Sequence, residues 1–326
     1  MIEAEVIVVG GGPGGSACAW RLRQLGVNDV LVLDREAFPR TKLCAGWITP
    51  EVVRDLEIEP SEYPGSWLRF DRLRLHRGWL GLRQKAVQYS IRRFEFDAWL
   101  LARSRARVQR HYVREVWREG GGYVLDGAFR ARFLVGAGGT RCPVYRDLFR
   151  AQAPRSRELQ AVTLEQEFPF EWRDPDCHLW FLEHGLPGYA WYVPKAGGQL
   201  NVGVGGIASR LHAHGDDIRR HWNHLVARLE RSGLVPRRDW EPGGYSYYLR
   251  ADGALRSEDA FLVGDAAGLA TRDLCEGIGP AVRSGLRAAE AIAKGVPYEL
   301  ADVQRYSAGG GRVSRFLERA FLGARA

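Results

Sequence analysis

Long apolar runs are missing from this sequence: nowhere do enough consecutive hydrophobic residues occur to cross a bilayer as a helix. The first residues, with Glu3 and Glu5, enter a strand pattern where an export signal would carry a basic and then apolar leader. Cysteine is sparse. Cys18, Cys44, Cys142, Cys177 and Cys275 are odd in number and scattered, with no C-x-x-C pair, which argues against a disulfide framework or a zinc-ligand pattern and predicts a reducing, cytoplasmic setting. Lysine is scarcer still: Lys42, Lys85, Lys195 and Lys294 are the whole set among 47 basic residues, against 39 acidic ones, for a net charge of +8. No basic tract or binding motif accompanies that excess, so nucleic acid is not an expected partner. The arginine excess reads first as composition, and second as attraction to an anionic partner such as a diphosphate, an acidic electron carrier or a membrane surface. Internal repeats and low-complexity segments are also lacking. What is present is a chain of 326 residues, 45% hydrophobic, long enough to bury a full core as one elaborated domain or two.

The strongest positive signal lies in residues 6–36. Val6 to Val9 read as a buried parallel strand and run directly into Gly10-Gly11-Gly12-Pro13-Gly14-Gly15. A helix from about Ser16 to Leu25 follows, with Ala17, Trp20 and Leu25 on its apolar face and Gly26 closing it, before a second apolar strand from Val30 to Leu33. Gly10, Gly12 and Gly15 fit a dinucleotide-binding fingerprint: the first permits a tight turn, the second lets backbone approach the pyrophosphate, and the third lets helix and strand pack closely. The helix N-terminus offers free N–H groups to the phosphates. Asp34, nineteen residues after Gly15, stands where a carboxylate binds a ribose hydroxyl. Strand, turn, helix and acid together predict a bound dinucleotide.

Beyond Arg35, the loop EAFPRTKLCAGWITPEVVRDL leads into a short helix. From about Trp67 to Arg92 the segments LRFDRLRLHR and AVQYSI alternate, which predicts antiparallel strands with one solvated face. Residues 93–106 read as a helix and 112–134 as a hairpin turning at Gly120-Gly121-Gly122. Phe133-Leu134-Val135 then returns the chain to the nucleotide-binding sheet at Gly136-Ala137-Gly138-Gly139-Thr140. Strands predominate from Leu159 to about Leu249, interrupted by one helix near 215–232 whose apolar face is Ile218, Trp222, Leu225, Val226 and Leu229. Ala260 to Val263 is a last buried strand, ending in Gly264-Asp265-Ala266-Ala267-Gly268, and helices complete the chain. The expected architecture is an α/β fold. A Rossmann-type nucleotide-binding domain of 1–66, 93–158 and 250–326 is interleaved with an antiparallel β-sheet domain of 67–92 and 159–249 that binds substrate.

Gly264-Asp265, added to the first glycine turn, resembles the flavoprotein superfamily that includes p-hydroxybenzoate hydroxylase. The resemblance implies FAD, with Asp265 on its ribityl chain. The stretch LCEGIGPAVRSG resembles the Gly-Glu-Gly-Ile of those proteins, which implies Gly277 and Ile278 N–H groups at the flavin's pyrimidine edge, where a helix N-terminus stabilises reduced flavin. A narrower likeness is to the geranylgeranyl reductases. Tyr189-x-Trp191-x-Val193-Pro194, followed by Gly203-x-Gly205, matches their motif with Val193 in place of Phe. Cys44-Ala45-Gly46 departs by one residue from their Cys-Gly-Gly-like turn, and Arg93 and Asp97 fit their Arg-x-x-Phe-Asp element, whose Arg lies near the cofactor. The same likeness implies FAD contacts from Pro13, Gly14, Arg35, Cys44, Ala45, Ala137, Gly138 and Gly264. It spans essentially the whole chain, with a C-terminal portion short for the family. One departure bears on the electron donor. Many relatives have Gly-Ala-Asp-Gly where this chain has Gly136-Ala137-Gly138-Gly139, and no second G-x-G-x-x-G follows a strand, which counts against a permanent nicotinamide site. The expected donor is transient NADPH or a small acidic carrier such as reduced ferredoxin.

The expectation is therefore an FAD-dependent oxidoreductase that reduces C=C bonds of an isoprenoid or similar hydrophobic substrate. Tyr189 and Trp191 would form its apolar wall. Cys44 would donate a proton or position the substrate, with Arg40 and Lys42 beside it favouring a thiolate and plain burial of a small side chain as the alternative. Two other readings share the fold: a monooxygenase of a small aromatic substrate, and a flavin-binding redox switch without turnover. His212, His214, His221 and His224 have metal-like spacing, but their helix accounts for them as surface residues and no metal is expected. Tyr245, Tyr247 and Tyr248 read as strand packing. From Arg312 onward, Val313, Phe316, Leu317, Ala320 and Phe321 share a helical face with Arg312, Arg315 and Arg319 largely outside it. That pattern fits packing against the body or peripheral contact with an anionic membrane.

Overall fold

The computed structural model describes every residue except 60, 61, 66, 79, 252, 302, 304–309 and 324–326. In chain order the first half contains β1 (Ile2–Val9), α1 (Pro13–Gln24), β2 (Val30–Asp34), β3 (Trp47–Ile48), α2 (Pro50–Asp55), β4 (Trp67–Arg77), β5 (Leu80–Ile91), α3 (Arg93–Ser104), β6 (Arg107–Arg110), β7 (Val116–Glu119), β8 (Gly122–Leu125) and β9 (Phe129–Gly136). The second half contains β10 (Gln160–Pro169), β11 (Cys177–Phe181), β12 (Gly188–Lys195), β13 (Gln199–Ile207), α4 (Ala208–Ala213), α5 (Ile218–Arg231), β14 (Gly243–Tyr248), β15 (Arg256–Ser257), β16 (Ala260–Leu262), α6 (Ile278–Lys294) and α7 (Arg312–Leu322).

These strands form two sheets. The first runs β15-β16-β9-β1-β2-β6, parallel from β16 to β6, with the β7–β8 hairpin paired to the start of β9. The inner stretches of its central strands, Val6–Val9, Val30–Leu33 and Phe133–Val135, are continuously apolar because both faces are covered there. Ile7, Val9, Leu31 and Leu33 pack on one side with Phe129, Tyr145 and Phe149, whereas Val6, Val8, Val30 and Val32 meet Cys18, Leu22, Ala288 and Ile292 of α1 and α6 on the other. The second sheet runs β14-β10-β13-β12-β11-β4-β5-β3 and is antiparallel except where β11 lies beside β4. α5 covers one face of it, burying Trp222, Leu225 and Leu229 against Trp180, Tyr192 and Val204. Leu179, Trp191 and Val193 occupy the opposite face with Phe70 and Leu73.

Several details differ from the sequence reading. α1 begins at Pro13, since proline's fixed φ suits the first helical position. Leu22 is buried where Leu25, at the C-cap, is half-buried. A short α4 precedes α5 where one helix was expected. Trp47–Ile48, from within 1–66, pairs with β5 of the second sheet. His221 is buried and lies 3.0 Å from Asp216, so it is not a surface histidine: one turn of α5 brings it under the loop that caps the helix.

α1 and α6 cross where neither has side chains. A Cβ on Gly285 would lie 2.1 Å from the Gly14 carbonyl oxygen, closer than any relaxation of side chains relieves. Gly285→Ala is expected to destabilise the fold by about 1–3 kcal/mol through overpacking, measurable as a lowered denaturation midpoint.

Candidate active site

The first wall of the site is the glycine turn after β1. Gly10 has φ +111°, and a Cβ there would stand 2.4 Å from the Ala137 oxygen, so turn and neighbouring strand end are pressed together. Gly12 is different: a Cβ there would meet only the Arg40 guanidinium, at 3.5 Å. Its α-carbon opens on free space. No side chain caps α1 at Gly12, which leaves first-turn N–H groups for an anion. Asp34 ends β2 and accepts the Gly11 N–H at 2.7 Å and the Glu36 N–H at 2.9 Å. The acid thus locks turn to strand and still borders the cavity.

The second wall gathers the ends of β9 and β16. Asp265 accepts from the Tyr245 hydroxyl at 3.2 Å, and Tyr245 also meets Thr140. Tyr245 is therefore part of the cavity lining, not strand packing alone. Arg155, which carries no motif, donates to the Thr140 carbonyl and, at 3.1 Å, to that of Ala266, while its guanidinium lies 3.8 Å from the Tyr145 ring centroid. It staples the two strand ends. Gly138 is closely packed: a Cβ there would stand 3.1 Å from the Cys142 α-carbon. α6 starts at Ile278 with Gly277 as an N-cap that no side chain caps, and Glu276 accepts the Gly279 N–H at 2.7 Å. Burial pushes the Glu276 carboxyl up to about 7.

The third wall is the loop between β2 and β3. Arg93 binds Asp97 through two hydrogen bonds of 2.7 and 2.8 Å, both residues being buried, and its guanidinium lies within electrostatic reach of the Cys44 side chain. Arg40 is drawn to the same carboxylate, 3.5 Å from Asp97. Gly46, not residue 45, is the glycine this turn requires. Its φ is +66°, and a Cβ would lie 2.2 Å from the Ile91 oxygen and 2.5 Å from the Lys195 ammonium. Lys42 stands over the Tyr245 ring, 3.0 Å from its centroid, and burial pulls its ammonium down to about 8.

The fourth wall is the second sheet. Trp191 is paired with Gly203 and Tyr189 with Gly205, so each ring has a strand neighbour without a side chain. A Cβ on Gly203 would lie 2.2 Å from the Trp191 indole, so the ring lies flat across that glycine. The indole N–H donates to Asn201 at 2.7 Å, and Asn201 in turn reaches the Cys44 carbonyl at 3.4 Å. Tyr189 donates to the Leu274 carbonyl at 2.6 Å, and burial raises its phenol well above the usual range, so it stays a neutral donor. These walls enclose one cavity of about 1070 Å³. Gly10, Gly12, Pro13, Gly14, Asp34, Arg35, Cys44, Ala45, Arg93, Ala137, Gly138, Tyr189, Trp191, Gly264, Asp265, Gly277 and Ile278 all border it. Gly15 lies behind the turn, where a Cβ would be 1.9 Å from the Gly10 oxygen. Lys42, Glu165 and Tyr245 share the cavity without having been singled out as binding residues.

The uncapped N-terminus of α1, the start of α6 and two strand-end carboxylates around one cavity suit a dinucleotide cofactor next to an apolar substrate space. The chain belongs to the FAD dependent oxidoreductase family, which matches residues 5–283. It is 30% identical over 338 residues to a menaquinone reductase of Mycobacterium tuberculosis, covering 89% of this chain and 76% of that protein. It is also 30% identical over 226 residues to digeranylgeranylglycerophospholipid reductase 1 of Methanopyrus kandleri, covering 63% of this chain and 58% of that one. Its fold superposes on a geranylgeranyl bacteriochlorophyll reductase-like protein of Thermoplasma acidophilum with a TM-score of 0.78 at 20% identity, over 98% of this chain and 83% of the other.

The open space at Gly12 gives a direct test of FAD at this turn. Gly12→Val puts its side chain where the pyrophosphate would lie, and the purified variant is expected to be colourless while the parent is yellow. Stoichiometric FAD absorbance in the variant would refute the placement.

Proposed function

We propose that this oxidoreductase saturates carbon–carbon double bonds of a long isoprenoid lipid, with the first sheet holding FAD and the second holding substrate. The observation that carries the reading is the glycine-backed aromatic wall: Tyr189 and Trp191 give a flat apolar surface facing the loop of Cys44. The names of the two reductase relatives, one acting on a quinone and one on a digeranylgeranyl phospholipid, support the substrate class. FAD, once bound and reduced by two electrons, would supply the hydride. The protein's part is to hold the alkene flat against the ring, exclude water and present a proton on the other side. We assign substrate positioning to Cys44, which Arg93 and the Gly46 N–H, 3.4 Å from Sγ, hold at the cavity edge. The crowding at Gly138 and the absence of a second glycine fingerprint support transient reduction by NADPH or by an acidic carrier such as reduced ferredoxin.

The C-terminal helix supports a membrane-peripheral setting. α7 packs through Ser314, Leu317 and Phe321, and Phe321 reaches the cavity and the Tyr189 ring. The apolar face predicted from the sequence is thus split: Val313 and Phe316 point outward, 66% and 45% exposed. Arg77 lies 5.2 Å from the Phe316 ring, and Leu80 and Leu82 of the adjoining hairpin are exposed as well. Apolar side chains ringed by arginines suit an anionic lipid surface, from which a prenyl chain could enter past Phe321.

The central test is anaerobic. Chemically reduced enzyme mixed with geranylgeranyl substrates is expected to yield saturated product. Trp191→Ala should raise KM about tenfold or more through loss of the aromatic contact, and Cys44→Ala should keep FAD and slow product formation. No product, together with oxygen-dependent hydroxylation of an aromatic substrate, would move the assignment to a monooxygenase. Sedimentation with anionic vesicles tests the surface. Deleting 312–326, or replacing Phe316 and Val313 by Asp, should abolish co-sedimentation, and an unchanged bound fraction would refute the membrane role.

A further inference from the structure

Glu165 of β10 lies between two glycines, Gly203 on β13 and Gly243 on β14. A Cβ on Gly203 would lie 2.8 Å from the Glu165 Cβ, and one on Gly243 would lie 2.8 Å from the Leu43 side chain. The missing side chains let the Trp191 ring settle beside Glu165 from one side and the Leu43–Cys44 loop close over it from the other. Glu165 is only 4% exposed, on the cavity wall. The neighbouring cations are otherwise engaged. Lys195 is bound to Glu167 at 2.8 Å and to the Ile91 carbonyl at 2.7 Å, Arg93 is bound to Asp97, and Lys42 rests on Tyr245. Among the described residues no ion pair fixes Glu165 as a carboxylate. Burial pushes its pKa up to about 7, with Lys195 and Lys42 opposing and Glu167 adding to the rise. Arg93 and Asp265 act on the same pocket through Lys42.

On the double-bond reduction proposed above, we propose that Glu165 is the acid that supplies the proton to the substrate alkene. The π bond breaks as one carbon takes a hydride from reduced flavin and the other takes the carboxyl proton. Two C–H bonds form, flavin is oxidised by two electrons, and Glu165 is left as carboxylate until a proton from water restores it. Cys44 then serves to orient the chain.

Single-turnover reduction by anaerobic, FAD-loaded enzyme separates the possibilities. The donor acts in its protonated form, so the wild-type rate should fall as pH rises through about 7. Glu165→Gln, nearly isosteric with the neutral acid, should keep FAD and form product ~10²-fold or more slowly, with that pH dependence gone. Infrared spectra of the oxidised protein without substrate should show protonated carboxyl absorption titrating near pH 7 from Glu165 and Glu276, of which Glu165→Gln removes one component and Glu276→Gln the other. Should the Gln variant lose FAD, Glu165→Asp carries the test: a shifted pH profile supports the role and an unchanged one overturns it. Wild-type turnover with Glu165→Gln within ~3-fold of it overturns this inference and leaves the reduction standing. A wild-type enzyme that forms no saturated product overturns both.

Discussion

How deeply α1 can settle against the end of β1 sets everything else at the site. The limit is backbone contact: a methyl group on Gly15 would lie 1.9 Å from the Gly10 oxygen, and one on Gly285 would lie 2.1 Å from the Gly14 oxygen. α1 is therefore pressed between β1 and α6 by three glycines, and its uncapped N-terminus is carried to the edge where the parallel strands end. Because β2, β9 and β16 run parallel to β1, Asp34, Gly138 and Asp265 arrive at that same edge. A parallel sheet brings its strand ends together by topology, and ligands of such sheets bind there. Hydrogen bonds then sharpen the arrangement. Asp34 takes the Gly11 N–H, and Arg155 joins the carbonyls of Thr140 and Ala266.

The second sheet uses glycine for a different purpose. β12 and β13 form a hairpin whose turn, at Gly197 and Gly198, has φ of +69° and +61°. The loop has only three residues, Ala196 to Gly198, and the left-handed backbone at its two glycines lets so short a turn close. Hairpin length explains the spacing of the Tyr-x-Trp…Gly-x-Gly motif. Lys195 pairs with Gln199, so Trp191 must face Gly203 and Tyr189 must face Gly205. Period-two alternation places both rings on one face, and the glycines opposite give the rings room to lie along the sheet. A pattern that reads in sequence as a string of spacings is, in the fold, a single register.

Much of this was legible in the sequence because it rests on local chemistry. The apolar runs VIVV and VLVL, the glycine turn, Asp34 and Gly264-Asp265 each announce themselves within a few residues, and the strand ends Val9 and Leu33, most of the glycine turn, Asp34, Gly264 and Asp265 border the cavity. What escaped notice depends on contacts between distant segments. Arg155 stands in a loop without periodicity, and its role arises only when two strand ends come together around it. Tyr245 looked like strand packing because nothing nearby in sequence shows that Asp265 would lie against its hydroxyl. Glu165 carries no motif, and its place on the cavity wall arises only when β10, β13 and β14 come together beside the Cys44 loop. His221 and α7 mislead in the opposite direction. Helical periodicity finds a face, but cannot say whether the body of the protein is wide enough to cover it.

Lys195 shows how the Cys44 turn is held against the second sheet. It is fully buried at the end of β12 and reaches the Ile91 carbonyl at 2.7 Å and Glu167 at 2.8 Å. Ile91 in turn donates its N–H to Gly46 at 2.8 Å, and a side chain on Gly46 would collide with the lysine. The turn that carries Cys44 is thus bound to the second sheet by a buried ammonium and by a glycine that lets it approach. Removing one member of such a pair strands the other charge in the interior, at a cost of about 3–5 kcal/mol. Arg92 joins the same carboxylate at 3.0 Å, so Glu167 answers two cations and stays ionised, with burial opposing and Lys195 prevailing. Two places along β10, Glu165 has no such partner. The contrast follows from geometry. Lys195 can reach only one of the two acids while holding Ile91, and the other is left to the cavity.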